Sequence, residues 1–239
     1  MYSGVSIDRV QLRFIILVMT INRLLLLPGL ILLATNSIAQ SPTREEIEWC
    51  DIWITHANDH NLPRVLLLGD SISRQYFPEV EKILAGKAYV NRLSTSAFST
   101  DPALLGQIAT VLDNTHFDVI YFNNGMHGWQ HNEKEYQEGL ASMIDTIRKH
   151  APSAKLMWAN TTAVRKDSSS GTSGPSDIRI KERNSIALKL MEGNQIPVVD
   201  LYSVTSGHPE LHSDDVHFND NGIALLGGCV VSNVQKLLP

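Results

Sequence analysis

From Arg64 onward, short unbroken apolar runs alternate with longer segments whose apolar residues recur at helical spacing, and few architectures accept that pattern. The runs are RVLLLGD, KAYVNRL, FDVIYFNNG, KLMWANTT and IPVVDLY. Each is too continuously apolar to be a half-wet antiparallel strand, so the five read as parallel strands buried on both faces, with helices as crossovers. Helices are expected near 73–86, 101–114, 132–150, 177–193 and 219–237, with Asn132 and Asn219 as N-caps. The polar stretch KDSSSGTSGPSD at 166–177 reads as a mobile loop after the fourth strand. Residues 41–60 read as a helical lead-in that packs Ile47, Trp49 and Trp53 on the core. No repeat or linker divides 40–239, and 239 residues with 43% hydrophobic content suit one well-filled core.

The start of the chain reads as an address rather than as fold. Arg23 precedes the run LLLLPGLILLA and the polar TNSIAQ, with Ser37 and Ala39 placed as small residues before a cleavage at Gln40. Residues 1–39 are thus expected to be a cleaved export signal, with 40–239 the mature domain in a secreted or periplasmic location. A spanning helix needs about 20 apolar residues, so an anchor requires Phe14 to Met19 to join the run across Asn22 and Arg23. Met19 offers an alternative start with a compact signal of its own. In an oxidising compartment the two cysteines, Cys50 and Cys229, are expected to pair; two separate buried thiols are the alternative.

Charge excludes one class of partner. The chain carries −5 overall, and Arg9, Arg13 and Arg23 lie in the leader against Asp8 alone, so the mature part is more acidic still. No basic face is available for a phosphate backbone, and nucleic acid is not an expected partner.

In open parallel sheets ligands bind beyond the carboxyl ends of the strands, so chemistry is sought there. The first run ends in LLLGDSIS at 66–73, where Ser71 begins a helix whose free N–H groups and dipole favour an adjacent oxyanion. Gly69 permits a tight turn and Asp70 can bond neighbouring amides. Ser71 as a simple helix cap is the plain alternative. Far downstream, HSDDVHFNDNG at 212–222 places Asp214 three residues before His217, so that the carboxylate can hold one imidazole nitrogen while the other faces a serine. Asp215 is a competing acid, but its adjacency to His217 directs it elsewhere. A solvated Asp/His-rich loop is the alternative for this segment.

Taken together, the GDS and DxxH blocks in one α/β domain resemble the SGNH/GDSL serine hydrolases over about 64–235. The resemblance implies a three-layer α/β/α sandwich with a parallel five-stranded flavodoxin-like sheet. It also implies an esterase in which Ser71 attacks an ester carbonyl, Asp214 and His217 complete the triad, and no cofactor is needed. The family's oxyanion glycine after the second strand is absent from LSTSAFST, where the backbone of Ala97 or Phe98 can substitute. In the third block, FNNGMHGW, Gly125 matches the family glycine and His127 stands in the register of its asparagine, with Asn123 and Asn124 as neighbouring substitutes. This Asn-x-Gly-x-His pattern occurs in a branch of bacterial GDSL-like proteins. Asn123 and His127 share parity, so both face the serine if the strand extends that far.

A metal reading of His127 with His131, or of His208, His212 and His217, is disfavoured, because the segment around Gly128 and Trp129 reads as a loop rather than a helix that would aim two rings at one ion. Trp129 and the 166–177 loop are candidates for the cleft wall, whereas Trp158 reads as core. The expected substrate is a small-molecule or glycan ester with a short acyl group, taken by a monomer without a stable membrane partner. A polysaccharide O-acetyltransferase would share the same triad, and a catalytically silent carbohydrate-binding relative would share the sheet. A flavin carrier is disfavoured because GDSIS lacks the small and hydroxyl residues that wrap a phosphate.

Overall fold

Strand β2 (Arg64–Gly69) is buried along its whole length in the middle of a six-stranded sheet in the computed structural model, which describes residues 43–165 and 176–239. The proposed signal at 1–39 and most of the 166–177 loop lie outside the described residues. Helix α1 (Ser71–Ile83) leads to β3 (Tyr89–Thr95), α2 (Pro102–Asn114) to β4 (Val119–Phe122), and α3 (Glu133–His150) to β5 (Lys155–Ala159). Helix α4 (Asp177–Gly193) leads to the short β6 (Val198–Val199), followed by α5 (Leu201–Thr205), a 3-10 turn at Pro209–Leu211 and α6 (Asp220–Val234).

The five strands expected from the apolar runs are all present and parallel, in the spatial order β3-β2-β4-β5-β6. That is the flavodoxin-type order 2-1-3-4-5, in which the chain reverses direction across the sheet beside its first parallel strand and leaves a crevice at the carboxyl ends. Period-two alternation divides the core between the two faces. Val65, Leu67, Val119, Tyr121 and Met157 pack with α1 and α6 on one side. Leu66, Leu68, Ile120, Phe122 and Trp158 pack with α2 and α3 on the other. Asn132 closes a capping box with Glu135, and Asn219 caps α6, as their sequence positions imply.

The sheet has a sixth strand that the apolar pattern does not announce. Residues Cys50–Trp53 form β1, antiparallel to β3 at the sheet edge, where a helical lead-in was expected. Ile47 and Trp53 are 73% and 54% exposed, so neither packs on the core as anticipated. The backbone groups along the free side of β3 need partners, and an extended segment supplies them. Arg92 of β3 reinforces the pairing by reaching Asp51 at 2.9 Å and lying 5.4 Å over the Trp53 ring. The fifth run yields only a two-residue strand, because Asp200 caps α5 immediately after it.

The expected disulfide is also corrected, since Cys50 and Cys229 are both free thiols. Cys50 sits on the edge strand and pairs in register with Thr95, whereas Cys229 lies in α6 against the core that contains Tyr76 and Tyr121. An edge strand holds one residue and a helix the other, and their even number carries no pairing. No helix among the described residues is long and apolar enough to cross a membrane.

Helix α3 approaches the loop after β3 at Gly139, where an added Cβ would lie 2.7 Å from backbone atoms of Ser99 and Thr100. Backbone cannot swing aside as a side chain can. Gly139→Ala is therefore expected to destabilise the fold by about 1–3 kcal/mol, measured as a lower midpoint in urea at unchanged slope.

Candidate active site

Strand β2 ends where its backbone must turn sharply into α1. A Cβ on Gly69 would come within 2.7 Å of Ser73 Oγ, so glycine is required by close packing. Asp70, only 5% exposed, accepts from the backbone N–H of Ile72 at 2.9 Å and of Ser73 at 3.4 Å and so caps the helix. With capping assigned to Asp70, Ser71 is left as the first helical residue, its hydroxyl not needed for the cap. Its N–H belongs to the first-turn donors that a helix cannot use internally.

Residues 212–219 form a tight loop pinned at both ends. His212 and Phe218 make an isolated antiparallel bridge, and Ser213 donates its N–H to the His217 carbonyl at 2.9 Å. Asp214 Oδ1 accepts from the backbone N–H of Val216 at 2.7 Å and of His217 at 2.6 Å, an Asx-type turn. Its Oδ2 lies 2.8 Å from His217 Nδ1, and His217 Nε2 lies 2.9 Å from Ser71 Oγ. Since Nδ1 beside a carboxylate carries the hydrogen, Nε2 is the lone-pair nitrogen that faces the serine hydroxyl. Desolvation pushes the Asp214 carboxyl upward, but the two N–H groups and the His217 ring outweigh it and hold the acid at about 2. Asp215 turns away to Arg165 at 3.3 Å, as its adjacency to His217 suggested.

The third block is arranged differently from its sequence register. Strand β4 ends at Phe122, so the parity linking Asn123 to His127 does not hold. Asn123 spends its amide N–H on the Ala159 carbonyl at 2.7 Å and on Thr161 Oγ1 at 3.3 Å. Asn124 donates to the Ala97 carbonyl at 2.9 Å, and the Ala97 N–H is bonded to Thr95 Oγ1 at 3.2 Å. Of the sequence-derived oxyanion candidates, only His127 shares a cleft with Ser71 and His217. That cleft, of about 300 Å³, is also lined by Glu45, Met126, Trp129, Gln130 and Val216. Trp158 is fully buried in the core, as expected. On the other side of Ser71 and His217 a more open depression of about 430 Å³ is lined by Arg74, Gln75, Ser213 and Asp214.

Among the described residues no cluster of three or more His, Cys, Asp or Glu side chains is arranged to hold a metal. His131 instead stacks on Phe98 at 4.6 Å, and His208 pairs with Glu210 at 2.9 Å.

Two residues that shape the site escaped the sequence reading. Glu45 contacts His127 Nδ1 at 3.0 Å and accepts from the Gly128 N–H at 3.0 Å. Arg183 of α4, with no exposed surface, donates to the carbonyls of Gly125 at 3.0 Å, His127 at 2.7 Å and Gly128 at 2.9 Å. Its guanidinium lies 4.3 Å over the Trp129 ring, and desolvation lowers its pKa to about 10, leaving it a cation at neutral pH. Arg183→Met removes these donors while keeping most of the volume. The three carbonyls then lack partners, which is expected to cost at least about 3 kcal/mol, checked by denaturant unfolding.

Residues 67–225, more than half of the chain, match the GDSL-like lipase/acylhydrolase family. Among solved structures the fold is similar to a GDSL-like lipase from Bacteroides thetaiotaomicron, at 16% identity over 72% of this chain and 88% of that one, with TM-score 0.61. A lipase/acylhydrolase from Enterococcus faecalis is similar at 23% identity over 74% and 97% of the two chains, with TM-score 0.58. A carbohydrate esterase family 3 protein from Talaromyces cellulolyticus is similar at 17% identity over 73% and 97%, with TM-score 0.58. Comparison with curated proteins finds no match. The family match runs from the last residues of β2, through the Ser71 turn, past His217 and into α6, and the chain belongs to the GDSL-like lipase/acylhydrolase family of SGNH carboxylic ester hydrolases.

Proposed function

We propose that this protein is an exported esterase in which Ser71 removes a short acyl group, acetyl above all, from a carbohydrate. The observation that carries the reading is the unbroken hydrogen-bonded chain from Asp214 through His217 to Ser71. His217 takes the Ser71 proton as Oγ attacks the ester carbonyl, and the tetrahedral oxyanion collapses to an acyl-serine. The same ring then returns that proton to the departing alcohol. Water, deprotonated by His217, repeats the sequence and frees the acid. Asp214 keeps the ring in the reactive tautomer and balances the imidazolium charge. The Ser71 N–H, at the start of α1, is suited to receive the oxyanion together with a side-chain donor from the loop after β4.

The two depressions beside Ser71 suggest how the ester lies. Met126, Trp129 and Val216 give the smaller cleft an apolar wall suited to a short acyl chain, whereas Arg74, Gln75 and Ser213 give the open side the polar lining a sugar alcohol needs. The likeness to a carbohydrate esterase is consistent with that division. Export is supported by the leader-like composition of residues 1–39.

Ser71→Ala is expected to lower turnover of p-nitrophenyl acetate and of an acetylated glycan by roughly 10⁴–10⁶, with the unfolding temperature unchanged. Wild-type turnover in that variant would refute the mechanism. The lowered Asp214 pKa makes it a stronger acid than an ordinary aspartate. The carboxylate stays ionised until the pH falls through about 2, so activity lost on acidification above pH 3 does not come from protonation of Asp214. Asp214→Asn, which permits the wrong tautomer, should cost up to about 10⁴ in kcat and only a small amount of stability, present above about pH 4 and vanishing as the pH falls towards 2, because Asp214 is well exposed.

A further inference from the structure

We propose that Glu45 is a positioning residue that keeps His127 protonated on both ring nitrogens, so that its Nε2–H serves as the charged side-chain donor to the oxyanion. This rests on the reading of Ser71 as nucleophile.

The segment before β1 lies against the loop after β4 through several polar contacts. Glu45 Oε1 and Oε2 lie 3.2 and 3.0 Å from His127 Nδ1, and Oε1 also accepts from the Gly128 N–H at 3.0 Å. Gln130 Nε2 donates to the Thr43 carbonyl at 3.2 Å, and the Arg44 guanidinium grips Asp101 at 2.7 and 3.1 Å. Glu45 is thus held in place by the contacts of the two residues before it.

Beside a carboxylate, Nδ1 must carry a hydrogen. Nε2 is buried and has no hydrogen-bond partner in the protein. His127 lines the cleft that holds Ser71, and in the neutral ring its Nε2 would be a bare lone pair with nothing to donate to a developing oxyanion. In the imidazolium it is an N–H donor, the species an oxyanion needs. The competing Asn123 amide donates to the Ala159 carbonyl and to Thr161 Oγ1, and Asn124, which donates to the Ala97 carbonyl, does not line the cleft that holds Ser71 and His127.

The charges around the ring favour its protonated form. Burial works against the cation, but the Glu45 hydrogen bond and the negative charges of Asp70, Glu45 and Glu48 outweigh it and raise the His127 pKa above its ordinary value. The Arg183 cation opposes this; its Nη1 and Nη2 groups donate to carbonyls of the same loop, while its buried Nε–H has no hydrogen-bond partner. Ser71 and His217 line the same cleft, and Trp49 presents a neutral ring at 6.4 Å with Arg74 of α1 lying over it. His127 is therefore the donor only below its raised pKa, and the contribution is lost as pH rises through that value. Turnover then declines on the alkaline side as His127 loses its charge.

The test is kcat and KM against pH on p-nitrophenyl acetate for the intact protein and for Glu45→Gln, His127→Ala, His127→Asn and Ser71→Ala. A parallel NMR titration of the His127 ring is made with and without Glu45→Gln. Glu45→Gln should move the alkaline decline of kcat to lower pH with KM nearly unchanged and should lower the His127 titration point. His127→Ala should lose about 10²–10³ in kcat, whereas His127→Asn, a neutral donor, should recover much of it and show no alkaline decline. The proposal is overturned if Glu45→Gln leaves both the pH profile and the ring titration at wild type, or if His127→Ala retains full turnover, while Ser71→Ala is inactive. An active Ser71→Ala protein would instead remove the nucleophile assignment on which the proposal stands.

Discussion

The 2.9 Å contact between Ser71 Oγ and His217 Nε2 joins residues 146 positions apart, and no local structure can hold it. It depends on α1 and α6 lying side by side on one face of the sheet. Gly227 lets them approach, since a Cβ there would stand 3.1 Å from the Glu79 side chain. Phe218, 2% exposed, drives the loop after Asp214 into the core beside Tyr76 and Leu226, and its N–H donates to Gln75 of α1 at 3.3 Å. The apolar face that stabilises the fold thereby fixes the distance between the two side chains of the proposed proton transfer. Asp214 needs no such burial, because the turn it forms with Val216 and His217 orients it from within the loop.

Opposite this pair, the loop after β4 is held by polar groups. Gly125 meets Thr161, whose Oγ1 a Cβ would reach at 2.0 Å, and Asn123, Asn124 and Arg183 bond backbone carbonyls on either side. Buried donors used in this way give the loop one conformation, since each alternative would strand a carbonyl away from water. Asn123 and Asn124, which stand close to the family's asparagine register, thus support the loop and leave the cleft to His127 and its partner Glu45.

Much of this was legible in the sequence where the physics is local or periodic. Doubly buried strands such as VLLLG must be apolar throughout, and the Asn132 and Asn219 caps act within one helical turn, so both can be read directly. The Ser71, Asp214 and His217 blocks each lie at an element boundary where a polar residue is conspicuous, and it is their combination, with the family resemblance, that joins them into a candidate triad. Strand β1 was missed because an exposed edge strand has no apolar alternation to show, and its stabilising partner, Arg92, lies on another strand. Arg183 was missed for a related reason. A charge in a polar stretch of helix looks solvated until the fold brings three carbonyls from another loop to meet it. Glu45 sits among Arg44, Glu46 and Glu48, and only the tertiary contact with His127 distinguishes it from them. The cysteine pairing failed because an even count says nothing of distance, and the fold places one thiol on the edge strand and the other in α6.

The nucleophile is tested most directly by reacting the folded protein with a fluorophosphonate and locating the adduct by peptide mass mapping. A serine activated by the His217–Asp214 pair should take up one equivalent at Ser71, with esterase activity lost in proportion to labelling. An adduct on a different residue, or full inhibition with Ser71 unmodified, would contradict the assignment of Ser71 as the residue that attacks the ester.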